Sequence, residues 1–196
     1  DGTLIDSGKY HARAFADAVL EQSGYALTPN EHDEFFASHS KPFSSVLNKR
    51  YGLELEPEKV LSQKRRRMEE IFIAELFAGA HEFLEKWHRK KPMALATNSP
   101  LSFVAPTLEE AGLMDYFECI TTANDVENRK PAPDIIEVTT QKLRVDPLDT
   151  LVFEDQLIGI EAARTAGAHV VAVDNGQSVQ FPSDVPVATW KELLHA

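Results

Sequence analysis

The chain has 196 residues, 43% of them apolar, which is material for one full domain plus a smaller appendage. Its 20 basic against 31 acidic side chains give a net charge of -11, which repels a phosphate backbone or an anionic membrane and excludes nucleic acid and membrane as partners. The single cysteine, Cys119, excludes an internal disulfide and a thiol-rich zinc centre and suits a reducing, cytoplasmic compartment, and no apolar run approaches a membrane span.

The opening residues, DGTLIDS, are turn chemistry of the kind that follows a strand. A helix is expected over 8–24, with Tyr10, Ala14, Phe15, Ala18 and Val19 on one side and Gly24 as its stop. Thr28 and Pro29 start a shorter helix to about residue 38, and Pro42 opens another through residue 50. Pro57 begins a longer one, with Val60, Leu61, Met68, Ile71, Phe72 and Leu76 as its apolar side. Nothing in 9–77 reads as a strand, so the stretch is an all-helical insertion. Gly8 and Gly79 bracket it and would let it swing as a unit. The run Lys64, Arg65, Arg66, Arg67 lies on a helix and reads as a solvated face.

After Gly79 helices alternate with strands. Phe83, Leu84 and Trp87 mark a helix, residues 92–97 (PMALAT) a short apolar strand, and Ser99 and Pro100 the start of a helix ending near Gly112. A strand over 117–122, a helix over 133–143, a strand at Leu151 with its helix, and a strand over 169–174 follow. The tail repeats the theme, extended over 185–188 and helical over 190–195. Strands separated by helical crossovers predict an α/β fold, a Rossmann-like parallel sheet with helices on both faces and an inserted α-helical domain.

The stretch LVFEDQLIGIEAARTAG from Leu151 organises the rest. Two acids, Glu154 and Asp155, at the mouth of an apolar strand repel each other and are costly to desolvate, so they require a cation or hydrogen-bond donors. Open α/β sheets hold ligands at this edge. The other strands also end in residues able to handle a phosphoryl group. Thr97 offers a hydroxyl beside a helix N-terminus, or serves as a plain helix-entry residue. Lys130, between Arg129 and the prolines Pro131 and Pro133, is either a preorganised counter-charge or an exposed loop lysine. Hydroxyl, lysine and carboxylates at successive strand ends compose a phosphate-plus-divalent-metal site. With no histidine or thiol nearby, the metal is Mg²⁺ rather than zinc.

In these motifs the chain resembles the haloacid dehalogenase (HAD) superfamily of phosphohydrolases, in its β-phosphoglucomutase-like branch with a helical cap. The family's four motifs are matched in order by DGTLIDS at Asp1, the strand ending in Thr97, KPAPD from Lys130, and EDQLIGIEAARTAG from Glu154. Within the branch, WHRKKPMALATNS and VFEDQLIGIEAARTAG are most similar to small sugar-phosphate phosphatases of the fructose-1-phosphate and 6-phosphogluconate type. The family's first motif is DxDGT, with the nucleophile first and the general acid/base second, and Asp1 matches the second. The resemblance therefore implies a nucleophile two residues ahead of Asp1, on an apolar strand at the centre of the sheet. Removing a central strand would leave buried backbone groups unpaired at about 1 to 3 kcal/mol each, against a net stability of ~5 to 15 kcal/mol. The expectation is that the molecule continues ahead of Asp1; otherwise it has no nucleophile.

The resemblance implies a HAD-like core over 1–8 and 79–196 and a helical cap domain over 9–78. It makes Asp1 the acid/base, gives Thr97 and Lys130 the phosphate oxygens, and adds Asn98 as a further donor. It has Mg²⁺ held by Asp155 and the backbone carbonyl of Asp1, with Glu154 in support. Substrate choice falls to the cap, at Gly8, Lys9, Tyr10 and His11 and at His39, Ser40, Lys41 and Pro42. His11 resembles an acid/base-assisting histidine of the mutases, or is a packing histidine; Lys41 is a substrate-gripping cation or a solvated lysine. The implied activity is hydrolysis of a small phosphorylated metabolite, a sugar phosphate, through an aspartyl phosphate, by a monomer or weak homodimer. A β-phosphoglucomutase-type mutase and a catalytically dead interaction module are the alternatives. Haloacid dehalogenation is disfavoured because it needs neither the acid/base Asp1 nor a metal at Asp155.

Overall fold

Apolar stripes at helical spacing make the first part of the chain and short apolar runs between amphipathic segments make the second. The computed structural model describes residues 1–36, 40–176 and 179–196, excepting the side chains of Asp33, Phe36, Ser40 and Lys41. It divides into two units, Ser7–Ile73, and Asp1–Asp6 with Ala74–Ala196.

The first unit holds α1 (Gly8–Ser23), α2 (Pro29–Phe36), α3 (Ser40–Tyr51) and α4 (Pro57–Ile71). Phe15, Val19, Phe35, Phe43, Leu47 and Val60 form its core. The rings of Phe15 and Phe35 stack at 4.4 Å, and each fully buried apolar side chain of this size contributes about 1.5–3 kcal/mol. α3 begins two residues ahead of the expected start at Pro42, because proline in a first turn lacks only an N–H that would be orphaned anyway. The basic run is more than a solvated face: Arg67 Nε pairs with Asp17 at 2.8 Å and Arg66 with Glu21 at 3.1 Å, tying α4 to α1.

α4 stops at Ile71, short of the expected Leu76, as Phe72 turns extended. Leu76 instead bridges Ile5 in antiparallel fashion. Asp6 N–H donates to the Glu75 carbonyl at 2.8 Å and Phe77 N–H to that of Leu4 at 3.0 Å. Gly79, expected as a swivel, is held by close packing. Its φ is 93°, and a Cβ there would stand 2.9 Å from Lys191 N and 3.1 Å from the Trp190 carbonyl carbon.

The second unit carries α5 (Ala80–Trp87), β1 (Ala94–Ala96), α6 (Leu101–Glu110), β2 (Cys119–Thr121), α7 (Asp134–Leu143), β3 (Leu151–Glu154), α8 (Leu157–Thr165), β4 (His169–Val173), β5 (Val187–Ala188) and α9 (Trp190–His195). The pairings of these five strands are parallel, as the crossovers predict: β1 with β2, and β3, β4 and β5 in that order. Among the described residues β1 and β3 each pair on one side only. Ile135 and Ile136 of α7 and Ala162 and Ala163 of α8 pack on Ala96 of β1, Val152 of β3 and Val170 of β4, so one core joins both sets of strands. On a separate apolar contact, Phe83, Phe153 and Trp190 meet ring to ring with centroids 5.1–5.5 Å apart. No helix among the described residues is long and apolar enough to cross a membrane.

Candidate active site

The carboxyl ends of β1 and β3 are joined by one lysine. Lys130 Nζ donates to the Ala96 carbonyl of β1 at 3.0 Å and forms an ion pair with Glu154 Oε1 at the end of β3, both side chains only 8% exposed. A buried pair of this kind is stable only if the remaining valences are met. On the carboxylate side, Glu154 Oε2 accepts from the N–H groups of Asp155 and Gln156, at 3.0 and 3.3 Å. Gly159 in the first turn of α8 leaves room for that carboxylate, which a Cβ there would overlap.

Asn98 brackets the lysine, its Oδ1 accepting from Lys130 N–H at 3.0 Å and its Nδ2 donating to the Lys130 carbonyl at 3.2 Å. Its amide thus serves the lysine loop, a different use from the substrate-facing donor expected. Thr97 N–H continues the β1 ladder to the Thr121 carbonyl, and its hydroxyl oxygen accepts from Ser99 N–H at 3.1 Å. The Ser99 hydroxyl donates to Asp1 Oδ2.

Asp155, 4% exposed, accepts a short hydrogen bond from the Thr3 hydroxyl at Oδ1, while its buried Oδ2 has no hydrogen-bond partner. That oxygen abuts Gly2, where a Cβ would collide with it; glycine, with φ 74°, is required there. Burial first, then the charge of Glu154, pushes the Asp155 carboxyl up to about 6. One set of hydrogen bonds thereby joins Asn98, Lys130, Glu154, Asp155 and Thr3, and another joins Thr97, Ser99 and Asp1. These groups include a fixed positive charge and an unpartnered carboxylate oxygen at the strand ends.

A family model described as haloacid dehalogenase-like hydrolase matches residues 1–173. The chain belongs to that family. It is 28% identical over 174 residues to fructose-1-phosphate phosphatase of Escherichia coli (strain K12), covering 88% of this chain and 92% of that protein. It is 29% identical over 209 residues to phosphoglycolate phosphatase of Photobacterium profundum, covering 99% and 91%. Among solved structures, that of CbbY from Rhodobacter sphaeroides in complex with phosphate superposes with a TM-score of 0.80 at 22% identity, over 98% of this chain and 92% of that one, which speaks to fold.

HAD-family chemistry implies a divalent metal, and the residues present fit one. The buried, unpartnered Asp155 Oδ2 is a hard oxygen donor of the kind Mg²⁺ takes. Among the described residues no three His, Cys, Asp or Glu side chains stand together as a cage. Mg²⁺ does not require one, being held by one or two carboxylates with waters and phosphate completing its shell. Glu154, expected among the metal's supports, has both oxygens committed to Lys130 and to backbone N–H groups.

Two expected substrate residues belong to the helical unit. His11 lies on α1, where burial, with Lys64 adding its charge, lowers the imidazole to about 3. It is neutral at physiological pH and offers a hydrogen bond, not a cation. The Lys41 side chain lies outside the described residues, as do His39 and the Ser40 side chain. Two residues at the site were not anticipated. Asn175 Nδ2 donates to the carbonyls of Gly2 and Thr3, and Trp190 Nε1 donates to that of Thr3 at 2.7 Å. An Asn in a DNG turn after a strand and a lone Trp opening a short helix carry no local signal of contact with the first residues.

Proposed function

We propose that the chain is a Mg²⁺-dependent phosphomonoester hydrolase acting on a small sugar phosphate or related metabolite through an aspartyl-phosphate intermediate. The observation that carries this is the convergence of Lys130, Glu154 and Asp155 with the Asp1 turn at the ends of two parallel strands, one Asp155 oxygen unpartnered. The fructose-1-phosphate and phosphoglycolate phosphatases to which the chain is similar support the substrate class.

The nucleophile is the aspartate of the DxDGT pattern, two residues ahead of Asp1, on a strand for which the unpaired sides of β1 and β3 supply hydrogen-bonding partners. Its carboxylate attacks the phosphorus in line as the sugar oxygen leaves. Asp1 gives that oxygen a proton, then takes one from the water that hydrolyses the acyl phosphate. Ser99, donating to Asp1 Oδ2, leaves the other carboxyl oxygen for this exchange. Lys130, held by Glu154, Ala96 and Asn98, meets the phosphoryl oxygens as charge builds on them, with Thr97 beside it. Bound at Asp155 with help from the Asp1 carbonyl, Mg²⁺ would neutralise phosphoryl charge.

The Ser7–Ile73 unit acts as the cap that selects the substrate, through neutral His11 and Lys41. The enzyme works in the cytoplasm as a monomer or weak homodimer, where Cys119 stays reduced. A panel of sugar monophosphates and sugar-acid phosphates, assayed for released phosphate with Mg²⁺ and protein that includes the segment ahead of Asp1, tests the reading. Release from at least one member without isomerisation is expected. Isomerisation alone would assign a mutase, and inertness toward every member and toward p-nitrophenyl phosphate would discard the hydrolase.

A further inference from the structure

Two side chains with no part in the reaction above hold its first turn. Asn175, just past β4, donates to the Gly2 carbonyl at 2.5 Å and the Thr3 carbonyl at 3.2 Å. Trp190, the first residue of α9, donates from Nε1 to the same Thr3 carbonyl at 2.7 Å. Both lie beyond residue 173, where the family match ends.

The donors are themselves fixed. Trp190 is 3% exposed, in ring contact with both Phe83 and Phe153, with its backbone against Gly79. A reciprocal capping box between Thr189 and Glu192 sets the start of its helix. Within the turn itself Gly2 N–H donates to the Ile5 carbonyl at 2.9 Å and the Thr3 hydroxyl reaches Asp155, while Ser99 holds the Asp1 carboxyl and the Ile5–Leu76 bridge holds the residues that follow. Gly2, at φ 74°, is the residue type most costly to immobilise, so external donors to its carbonyl matter more than at an ordinary residue.

We infer that Asn175 and Trp190 are positioning residues for the hydrolase: by tying down the carbonyls of Gly2 and Thr3, they fix the direction in which Asp1 meets the departing oxygen. The inference rests on the reading of Asp1 as acid/base. It has a chemical signature. A sugar alkoxide must be protonated as it leaves, whereas p-nitrophenolate departs without a proton. Because kcat/KM extends only through departure of the leaving group, loosening Asp1 slows the sugar phosphate selectively. A residue that merely supports the fold changes the fraction of active enzyme and lowers both substrates by one factor.

The test uses protein that includes the segment ahead of Asp1, with Asn175→Ala and, separately, Trp190→Phe, which keeps an aromatic ring against Phe83 and Phe153 and removes the N–H donor together with the pyrrole part of the indole. Thermal melting confirms that each variant is folded. Should Asn175→Ala fail to fold, Trp190→Phe decides alone. The expected result is a fall in kcat/KM of about 10-fold or more for a sugar monophosphate that the wild type hydrolyses, with p-nitrophenyl phosphate changed by less than about threefold. Equal losses on both substrates, or no loss on either, would overturn the inference while leaving the phosphatase assignment intact. A wild type inert on both would remove the assignment and the inference together.

Discussion

Glu31 in the helical unit and Asp155 in the α/β unit are buried almost equally, 2% and 4% exposed, but their surroundings act on them in opposite directions. Glu31 is the acid of a capping arrangement with Thr28, accepting from its N–H and hydroxyl at 2.8 Å each and from the Tyr25 hydroxyl at 3.1 Å. Burial pushes its carboxyl up, but the Thr28 N–H and the hydroxyls of Tyr51, Thr28 and Tyr25 outweigh it and leave it below its ordinary value. Asp155 has burial and the Glu154 charge against it, and one oxygen has no donor. A buried acid with its oxygens bonded fixes structure, whereas one held charged and short of partners is suited to a cation. The difference separates scaffold from site without reference to family.

The comparison can be broken most severely at Lys130. Lys130→Ala strands Glu154 without its counter-ion, so stability should fall by ~3–5 kcal/mol and kcat by about 10²-fold or more. Urea unfolding and steady-state kinetics measure the two, and a variant matching the wild type in both contradicts the ion pair. In the helical unit, Phe15→Ala should cost ~3–5 kcal/mol by cavity formation, read as a lower urea midpoint. Glu31→Ala should cost ~2 kcal/mol by stranding the Thr28 and Tyr25 donors, with kcat toward p-nitrophenyl phosphate unchanged in the folded fraction.

The finest contrast is in pH. Glu31 has a folded pKa below the unfolded value of about 4.3, so its stabilisation is present above that value and lost as pH falls through the folded pKa. Asp155 has the reverse sign. With its folded value raised to about 6 over an unfolded ~3.9, it weakens the metal-free protein above pH 6 and the penalty lifts as pH falls toward 4. Asp155→Asn should therefore raise the urea midpoint of EDTA-treated protein at pH 7 and leave it little changed at pH 4. An equal change at both pH values would contradict the assignment.

Much of this was legible in the chain because strand ends and their loops are local. The run LVFED announced an apolar strand with acids at its mouth, and KPAPD a stiff lysine loop. The residue pattern alone could not divide labour between the adjacent acids, and only the family resemblance gave Asp155 the metal with Glu154 in support. Glu154 and Asp155 differ by one residue along a strand end, and only the meeting with Lys130, 24 positions earlier, makes one a counter-ion and leaves the other open. Glycines were ambiguous for the same reason. Gly79 read as a swivel, yet it makes room for the Trp190–Lys191 backbone brought by the fold, as Gly159 makes room for the Glu154 carboxylate. Asn175 and Trp190 were illegible because their partners lie 173 and 187 positions away.

That strand-end side chains assemble one Mg²⁺-assisted phosphoryl site with Asp155 as its metal ligand is tested most directly by titrating Mg²⁺ into EDTA-treated protein that includes the segment ahead of Asp1, while following p-nitrophenyl phosphate hydrolysis. The wild type should be inactive without metal and recover saturably with it, and Asp155→Asn should stay inactive at every Mg²⁺ concentration while remaining folded. Full turnover in EDTA, or full recovery of the variant, would contradict the account.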